Sequence, residues 1–286
     1  MIDYHVHCDY SVDAGGAIDE YVTSAVDRGL RRICFTTHCD LEPGRRHHDG
    51  RVRVGGKIID VTSDWLESYK GDVKKAAARV AAGDIEVRCG LEIGFVPGIE
   101  KMIEDFIAPY DFDFILGGIH TLRGVDIVST RESSEYFKGR TPRQVCEDYY
   151  SYVGEAAAFG LFDSVAHLDI YKKCGLDFYG SDLDSAHRGL LEPALEKVAG
   201  AGLALEVNSA GLRKGRSHPY PSPDILKAAR DAGITGITLG SDCHSPGEIG
   251  SDIDRCIGLA RETGYSEAVA FAAREPFAIP FEELLS

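Results

Sequence analysis

The sequence predicts an α/β protein built as a single parallel β/α assembly, and three observations carry that prediction. Seven short apolar segments recur along 286 residues, helix-like stretches with apolar spacing of three and four separate them, and glycines punctuate the helix ends. The length suits either one large α/β barrel or two modest domains. No linker, repeat or low-complexity tract divides the chain, so residues 1–286 are read as one domain.

Strands are assigned to residues 2–7, 32–37, 86–95, 112–120, 164–167, 204–209 and 235–241. They are mostly continuous apolar runs without strict alternation, as expected of strands covered on both faces. Helices are assigned between them to residues 17–28, 63–82, 99–107, 142–159, 183–199 and 223–232, with Gly29, Gly83, Gly160, Gly202 and Gly233 at their ends. After the seventh strand come a helix over 249–263 and a short helical tail around 281–285. Two segments that follow strands read as long loops: 39–61, with "GRRHHDGRVRVGG", and 208–222, with "NSAGLRKGRSHPYPS". Both would lie at the C-terminal face of the strands, where barrel enzymes keep their chemistry.

Composition narrows the function classes. Lysines and arginines number 31 against 46 aspartates and glutamates, so a net charge of −15 sets the surface against polyanions and anionic membranes. A phosphate ligand would therefore need a local positive site. No apolar run approaches the ~18–20 residues that span a bilayer, and the N-terminus lacks the basic and apolar regions of a secretory signal, so a cytoplasmic location is expected. The eight cysteines include no C-x-x-C pair. They read as small core residues in a reducing compartment rather than as a disulfide framework or zinc knuckle.

The strand ends hold the chemistry. His5 and His7, spaced by two, share a face of the first strand, while Val6 and Cys8 face the other way. The second strand ends in His38 ("FTTHCD"), the third in Glu92 ("GLEIGF"), the fourth in His120 ("LGGIHTL"), the fifth in His167 ("VAHLD"), and the seventh in Asp242 and His244 ("GSDCHS"). A single histidine at a strand end is more often a hydrogen-bonded structural residue than a ligand. Six of the ten histidines gathered at one mouth, with His-x-His and Asp-x-His pairs, reverse that expectation. Imidazole with carboxylate suits zinc, iron or manganese, and Glu92 or Asp242 can bridge two cations. His47 and His48 read as solvated loop residues, and His187 as structural.

With its opening His-x-His, its closing Asp-x-His and the motifs between them in order from His5 to His244, the chain resembles the polymerase and histidinol phosphatase (PHP) superfamily. The resemblance implies a distorted seven-stranded β/α barrel with its metal site at the C-terminal face of the strands, holding up to three divalent ions. It implies a first site of His5, His7, Glu92 and Asp242, a second of Glu92, His120 and His167, and a third of Asp13, His38 and His244. Asp13 alone would otherwise read as a loop carboxylate or a cap for the helix that follows. The second-strand motif departs from the family in reading "TTHCD" where Thr-Asp-His is common.

Within the superfamily the chain is most similar to the histidinol-phosphate phosphatases, through its length, its insertion after the second strand, "HLDIYKK" after the fifth and "EVNSAGLRKGRSHPYPSPDIL" after the sixth. This likeness implies a metal-dependent phosphatase acting on L-histidinol phosphate in histidine biosynthesis, with zinc, manganese or iron. Two other readings stay open: a PHP phosphoesterase for another small phosphate ester or nucleotide, and a non-catalytic metal-binding module. Arg213, whose guanidinium could hold two phosphate oxygens, and Lys172 are the expected substrate-binding cations. Asp242 and His244 are the expected catalytic proton carriers, and Glu206 and Asp40 are candidate carboxylates for the imidazole and amine of histidinol. The expected partner is a small phosphorylated molecule, with no membrane and no long nucleic acid.

Overall fold

The computed structural model describes residues 1–81 and 83–285. Seven strands form one all-parallel sheet in sequence order: β1 (Ile2–Val6), β2 (Arg32–Asp40), β3 (Glu86–Gly94), β4 (Phe114–Gly118), β5 (Ser164–Val165), β6 (Ala204–Asn208) and β7 (Ile237–Gly240). The helices α1 (Ile18–Asp27), α2 (Leu66–Arg79), α3 (Glu100–Ile107), α4 (Pro142–Phe159), α5 (Leu191–Gly200), α6 (Pro223–Asp231) and α7 (Ile253–Glu262) follow the strands in turn. Just beyond β7 the chain returns to β1: Asp242 donates its N–H to the His5 carbonyl at 2.8 Å, and His7 donates its own to the Cys243 carbonyl at 3.0 Å. The sheet thereby becomes a nearly closed barrel with an outer layer of helices. Buried Asp3 reinforces the seam by accepting from the backbone N–H groups of Ser241 and Gly250, each at 2.8 Å.

Apolar patterning explains the layers. The four buried residues of α1, Ile18, Tyr21, Val22 and Ala25, recur at helical spacing and face the strands. Helix α4 begins with Thr141, whose side chain accepts from the Gln144 N–H, and ends at Gly160 with φ +72°, a left-handed position that suits glycine. Trp65 and Tyr69, at the start of α2, are fully buried, the tyrosine hydroxyl donating to the Gly90 carbonyl of β3 at 3.0 Å.

Several expectations are corrected. The loop over 39–61 contains a hairpin, Arg51–Val54 with Lys57–Asp60, turned at two glycines with positive φ. The helix expected over 183–199 starts at Leu191, because Gly189 with φ +76° interrupts the preceding turns. The helix expected over 63–82 runs from Leu66 to Arg79, and its expected last residue, Ala82, lies outside the described residues. A helix over Lys172–Tyr179 and an antiparallel hairpin, Glu267–Ala272 with Glu275–Pro280, escaped the sequence reading. This C-terminal hairpin covers the N-terminal end of the strands. Phe271 stacks 5.1 Å from Phe114 at the start of β4, its carbonyl accepts from the Tyr4 hydroxyl, and Arg274 pairs with Asp163 just before β5. One end of the barrel is thus plugged by apolar packing, and the other is left for polar groups.

Candidate metal centre

The carboxyl ends of the strands place nine ligand-capable side chains within one cluster. Register sets the arrangement: His38 of β2 pairs level with Glu92 of β3, so their side chains emerge at the same height. His5 Nε2, His7 Nε2, Glu92 Oε2 and Asp242 Oδ1 form a compact set, with separations of 2.9 Å between the imidazoles and 3.3–3.6 Å from imidazole to carboxylate. Bonds of about 2.0–2.1 Å to a tetrahedral zinc put ligand atoms about 3.3–3.4 Å apart. On its other side Glu92 presents Oε1 to His120 Nε2 at 3.1 Å and to His167 Nε2 at 2.9 Å, and those two imidazoles lie 3.4 Å apart. At the rim, the half-exposed Asp13 carboxylate lies 3.2 Å from His244 Nε2 and 3.8 Å from His38 Nε2.

These donor sets could hold divalent cations, and one buried atom is in keeping with that. Glu92 Oε2 is fully buried with no hydrogen-bond partner, although His38 Nδ1 stands 2.9 Å away and the His5 and His7 nitrogens 3.3 and 3.4 Å away. His38 Nδ1 is equally unpartnered. Ligand atoms that crowd together without hydrogen-bond geometry are arranged around a shared point.

The electrostatics agree with the geometry. Burial works against ionising Glu92 and Asp242, but His5 and the other surrounding imidazoles hold both carboxyls well below the usual range. Asp13 is held low in the same way, burial opposing and His38 and His244 prevailing. Burial alone would lower His38, yet Glu92 and Asp13 push it up to about 9. His5 and His120 are likewise driven up against burial, by Glu206 and Glu92 respectively. His7, buried between other imidazoles, is driven down.

A second layer orients the ligands. Glu206 accepts at Oε1 from His5 Nδ1 at 2.6 Å and at Oε2 from the His167 N–H at 2.9 Å and Asn208 Nδ2 at 3.0 Å. A carboxylate on Nδ1 fixes the tautomer that leaves Nε2 free to ligate. Glu206, one of two candidate carboxylates for the substrate's imidazole and amine, lies instead behind His5. Both His167 and Asp242 sit in the left-handed region, with φ +27° and +53°, a conformation that non-glycine residues hold at a cost and that collects at functional sites. The signal for the second layer was present in "LEVNS", where Glu206 and Asn208 share one strand face, but nothing in spacing alone separates a ligand from its support.

Beside the cluster lies a cavity of about 250 Å³ lined by the carboxylates of Asp13, Asp40, Glu92, Asp126 and Asp242, the apolar side chains of Val12, Val128 and Ile170, and the cationic groups of Arg51 and Lys173. Arg213 does not line it. Its guanidinium donates to the Ser241 and Asp242 carbonyls and to Ser209 Oγ, bracing the seam after β7. Lys172 does not line it either: it is buried, with its ammonium 2.9 Å from Asp169 Oδ2 and donating to Ser222 Oγ at 2.8 Å. Its neighbour Lys173 faces the cavity with no ion-pair partner among the described residues. Asp40 lies at the cavity, 3.7 Å from His120 Nδ1, and His48, expected to be a solvated loop residue, also lines it. His187 is buried beside Asp224, away from the cluster.

Comparison with known proteins agrees with this geometry. The PHP domain family matches residues 3–210. A probable histidinol-phosphatase of Deinococcus radiodurans is 36% identical over 96% of the chain and 98% of the relative, and the histidinol-phosphatase of Lactococcus lactis is 24% identical over 95% of the chain and 94% of the relative. In fold, the chain is similar to the crystal structure of histidinol phosphate phosphatase from Lactococcus lactis complexed with zinc, L-histidinol and phosphate, with TM-score 0.79 and 23% identity over 96% of this chain and 98% of that one. With its motif-bearing strand ends gathered at one mouth of a seven-stranded barrel, the chain belongs to the PHP domain family and has relatives named histidinol-phosphatase along almost its whole length.

Proposed function

We propose that the protein is a metal-dependent phosphomonoester hydrolase that converts L-histidinol phosphate and water to L-histidinol and phosphate, in histidine biosynthesis. The observation that carries this reading is Glu92, whose two oxygens each face a separate histidine set beneath one cavity. In this reading His5, His7, Glu92 and Asp242 hold one cation, Glu92, His120 and His167 a second, and Asp13, His38 and His244 a third, drawn from zinc, manganese or iron. When bound, such ions supply Lewis acidity that offsets phosphoryl charge and acidifies water.

The protein's own groups do the rest. Water adds to phosphorus as the bond to the alcohol oxygen breaks. Its proton passes to an ionised carboxylate, for which Asp242 is assigned because it lines the cavity at the cluster. The departing alkoxide takes up a proton in turn, and His244, part-buried at the cavity, is the assigned donor in the state where no third cation holds its Nε2, recovering its proton from the Asp242 carboxyl afterwards. Lys173 replaces Arg213 and Lys172 as the assigned phosphate-binding cation, because its ammonium faces the cavity with neither ion pair nor hydrogen bond among the described residues, whereas the Arg51 guanidinium, also at the cavity, is tied to the His47 carbonyl. Asp126 and Asp40 offer carboxylates to the substrate's amine and imidazole. The reading also takes residues 1–286 as one folded unit and puts the enzyme in the cytoplasm, which its eight free cysteines suit. Its net charge of −15 disfavours long nucleic acids as substrates.

Purified enzyme with zinc, manganese or iron should release phosphate from L-histidinol phosphate in preference to nucleotides and sugar phosphates. Preference for another ester would overturn the substrate, and absence of any phosphatase activity with metal added would overturn the reaction.

A further inference from the structure

The insertion after β2 has no part in the chemistry assigned so far, although its hairpin touches the segment that joins β1 to α1. That segment, residues 9–14, carries Asp13 and also Ser11, whose hydroxyl contacts His7 Nδ1 at 3.3 Å and accepts from the His38 N–H at 3.2 Å. The segment is a series of tight turns: Ser11 donates its N–H to the Cys8 carbonyl and Ala14 to the Ser11 carbonyl. Such turns leave several carbonyls pointing outward. Arg53, in the hairpin strand Arg51–Val54, collects them. Its Nη1 donates to the Asp9 carbonyl at 2.9 Å, the Ala14 carbonyl at 3.0 Å and the Ser11 carbonyl at 3.3 Å, and its Nη2 to the Val12 carbonyl at 2.6 Å. The Arg53 backbone N–H adds a bond to the Tyr10 carbonyl at 2.9 Å, and Ser11 forms an isolated antiparallel bridge with Val52.

We propose that Arg53 is a positioning residue for the third cation site: by gathering four main-chain carbonyls of residues 9–14 onto one guanidinium, it fixes Asp13 opposite His38 and His244. The inference rests on the metal reading above. A planar fork with five N–H donors can satisfy carbonyls that arrive from several directions, whereas an ammonium offers three donors on a flexible stem. No carboxylate makes an ion pair with Arg53 among the described residues, so its contacts serve the shape of this loop. The insertion therefore acts as a brace that reaches back from β2 to the loop after β1. The Asp13 carboxylate at the rim thereby gains an enforced geometry from a chain segment 40 residues away, by the numbering of Asp13 and Arg53.

The test uses the full chain loaded with metal, and compares Arg53→Met, Arg53→Lys, Asp13→Asn and the Arg53→Met/Asp13→Asn double variant. Metal retained against a competing chelator should show the weakest-held cation loosened about 10–100-fold in Arg53→Met, the range known for outer partners of metal ligands, with the other cations unchanged. Excess metal should restore its turnover. Hydrogen exchange should quicken over residues 9–14 and not in the strands. Adding Arg53→Met to Asp13→Asn should change metal retention by less than about twofold, because the brace then has no ligand left to place. Arg53→Lys, which keeps the charge, should fall between parent and Arg53→Met; should Arg53→Met not fold, that variant and its exchange over 9–14 decide. Unchanged metal retention with unchanged exchange over 9–14, equal loosening of every cation, or full additivity in the double variant would each overturn the proposal. If the parent protein itself holds no third cation, the metal reading fails, and exchange over 9–14 still judges whether Arg53 holds the loop.

Discussion

Glu206 illustrates how much of the centre depends on one atom-level choice between oxygen and nitrogen. Both its oxygens accept: one from His5 Nδ1, the other from the His167 N–H and Asn208 Nδ2. Glutamine has a single acceptor oxygen, so whichever way its amide turns, an NH₂ faces a donor. Glu206→Gln should therefore weaken metal binding about 10–100-fold while the barrel stays folded, which competition with a chromophoric chelator measures. Affinity within about twofold of the parent would mean that His5 is oriented by packing alone. The same spot demands glycine on the neighbouring strand. A Cβ on Gly240 would overlap Glu206 Oε1 and stand 2.5 Å from His5 Cβ, so Gly240→Ala should reproduce the loss of affinity and also destabilise the fold by about 1–3 kcal/mol, visible in urea unfolding.

The turn after β5 separates two adjacent lysines into different roles. β5 pairs over only two residues, Ser164–Val165, before the chain swings through His167 into the helix Lys172–Tyr179. The first lysine of that helix points inward to Asp169 and Ser222, and the second faces the cavity. Lys172→Met would leave the Asp169 carboxylate buried without its cation, and should cost about 3–5 kcal/mol of stability. Lys173→Met should leave the melting temperature alone and raise KM for the phosphate ester about tenfold, with kcat less affected; equal effects of the two changes on KM would mean that the cavity does not distinguish them. This pair also marks where the sequence stopped being informative. Which side chains gather at one mouth could be read because a parallel β/α order sends every strand's carboxyl end to one face, so His5, His38, Glu92, His120, His167 and Asp242 needed only their positions in that order. Which way Lys172, Lys173 or Arg213 points depends on turns outside the strands, where no period fixes direction. The C-terminal hairpin was missed for a related reason: "EAVAFAAREPFAIP" carries prolines and a two-residue turn at Ala273 and Arg274, both with positive φ, that conceal its pairing.

For the molecule as a whole, the two ends of the barrel make opposite demands on solvent and charge. The hairpin end is sealed by Phe271, Tyr4 and Phe114, while the other end concentrates carboxylates and imidazoles that must balance one another when no cation is bound. His5, His38 and His120 titrate above the ordinary histidine value of 6.5, His38 at about 9, because they face Glu206, Glu92 and Asp13. A raised value means that the folded state holds the proton more tightly, so the stability these groups contribute is complete below about pH 6.5 and is lost as pH climbs past their folded values. The depressed carboxyls of Glu92, Asp242 and Asp13 act in the opposite sense, contributing above the ordinary carboxylate range and losing that contribution in acid. His7, driven down by burial, acts against the other imidazoles: its penalty is present below about pH 6.5 and fades as pH rises through that value. Protein stripped of metal by chelation should therefore melt at its highest temperature near pH 5–6 and fall steadily from there to about pH 9. Metal-loaded protein should not show that fall, since cations take over the balancing charge and bind more tightly as protons leave the ligands. The gap in melting temperature between loaded and stripped protein should consequently widen with pH, and calorimetry at matched ionic strength measures it. A gap that narrows as pH rises would mean that the stripped centre is balanced by something other than its own imidazolium groups.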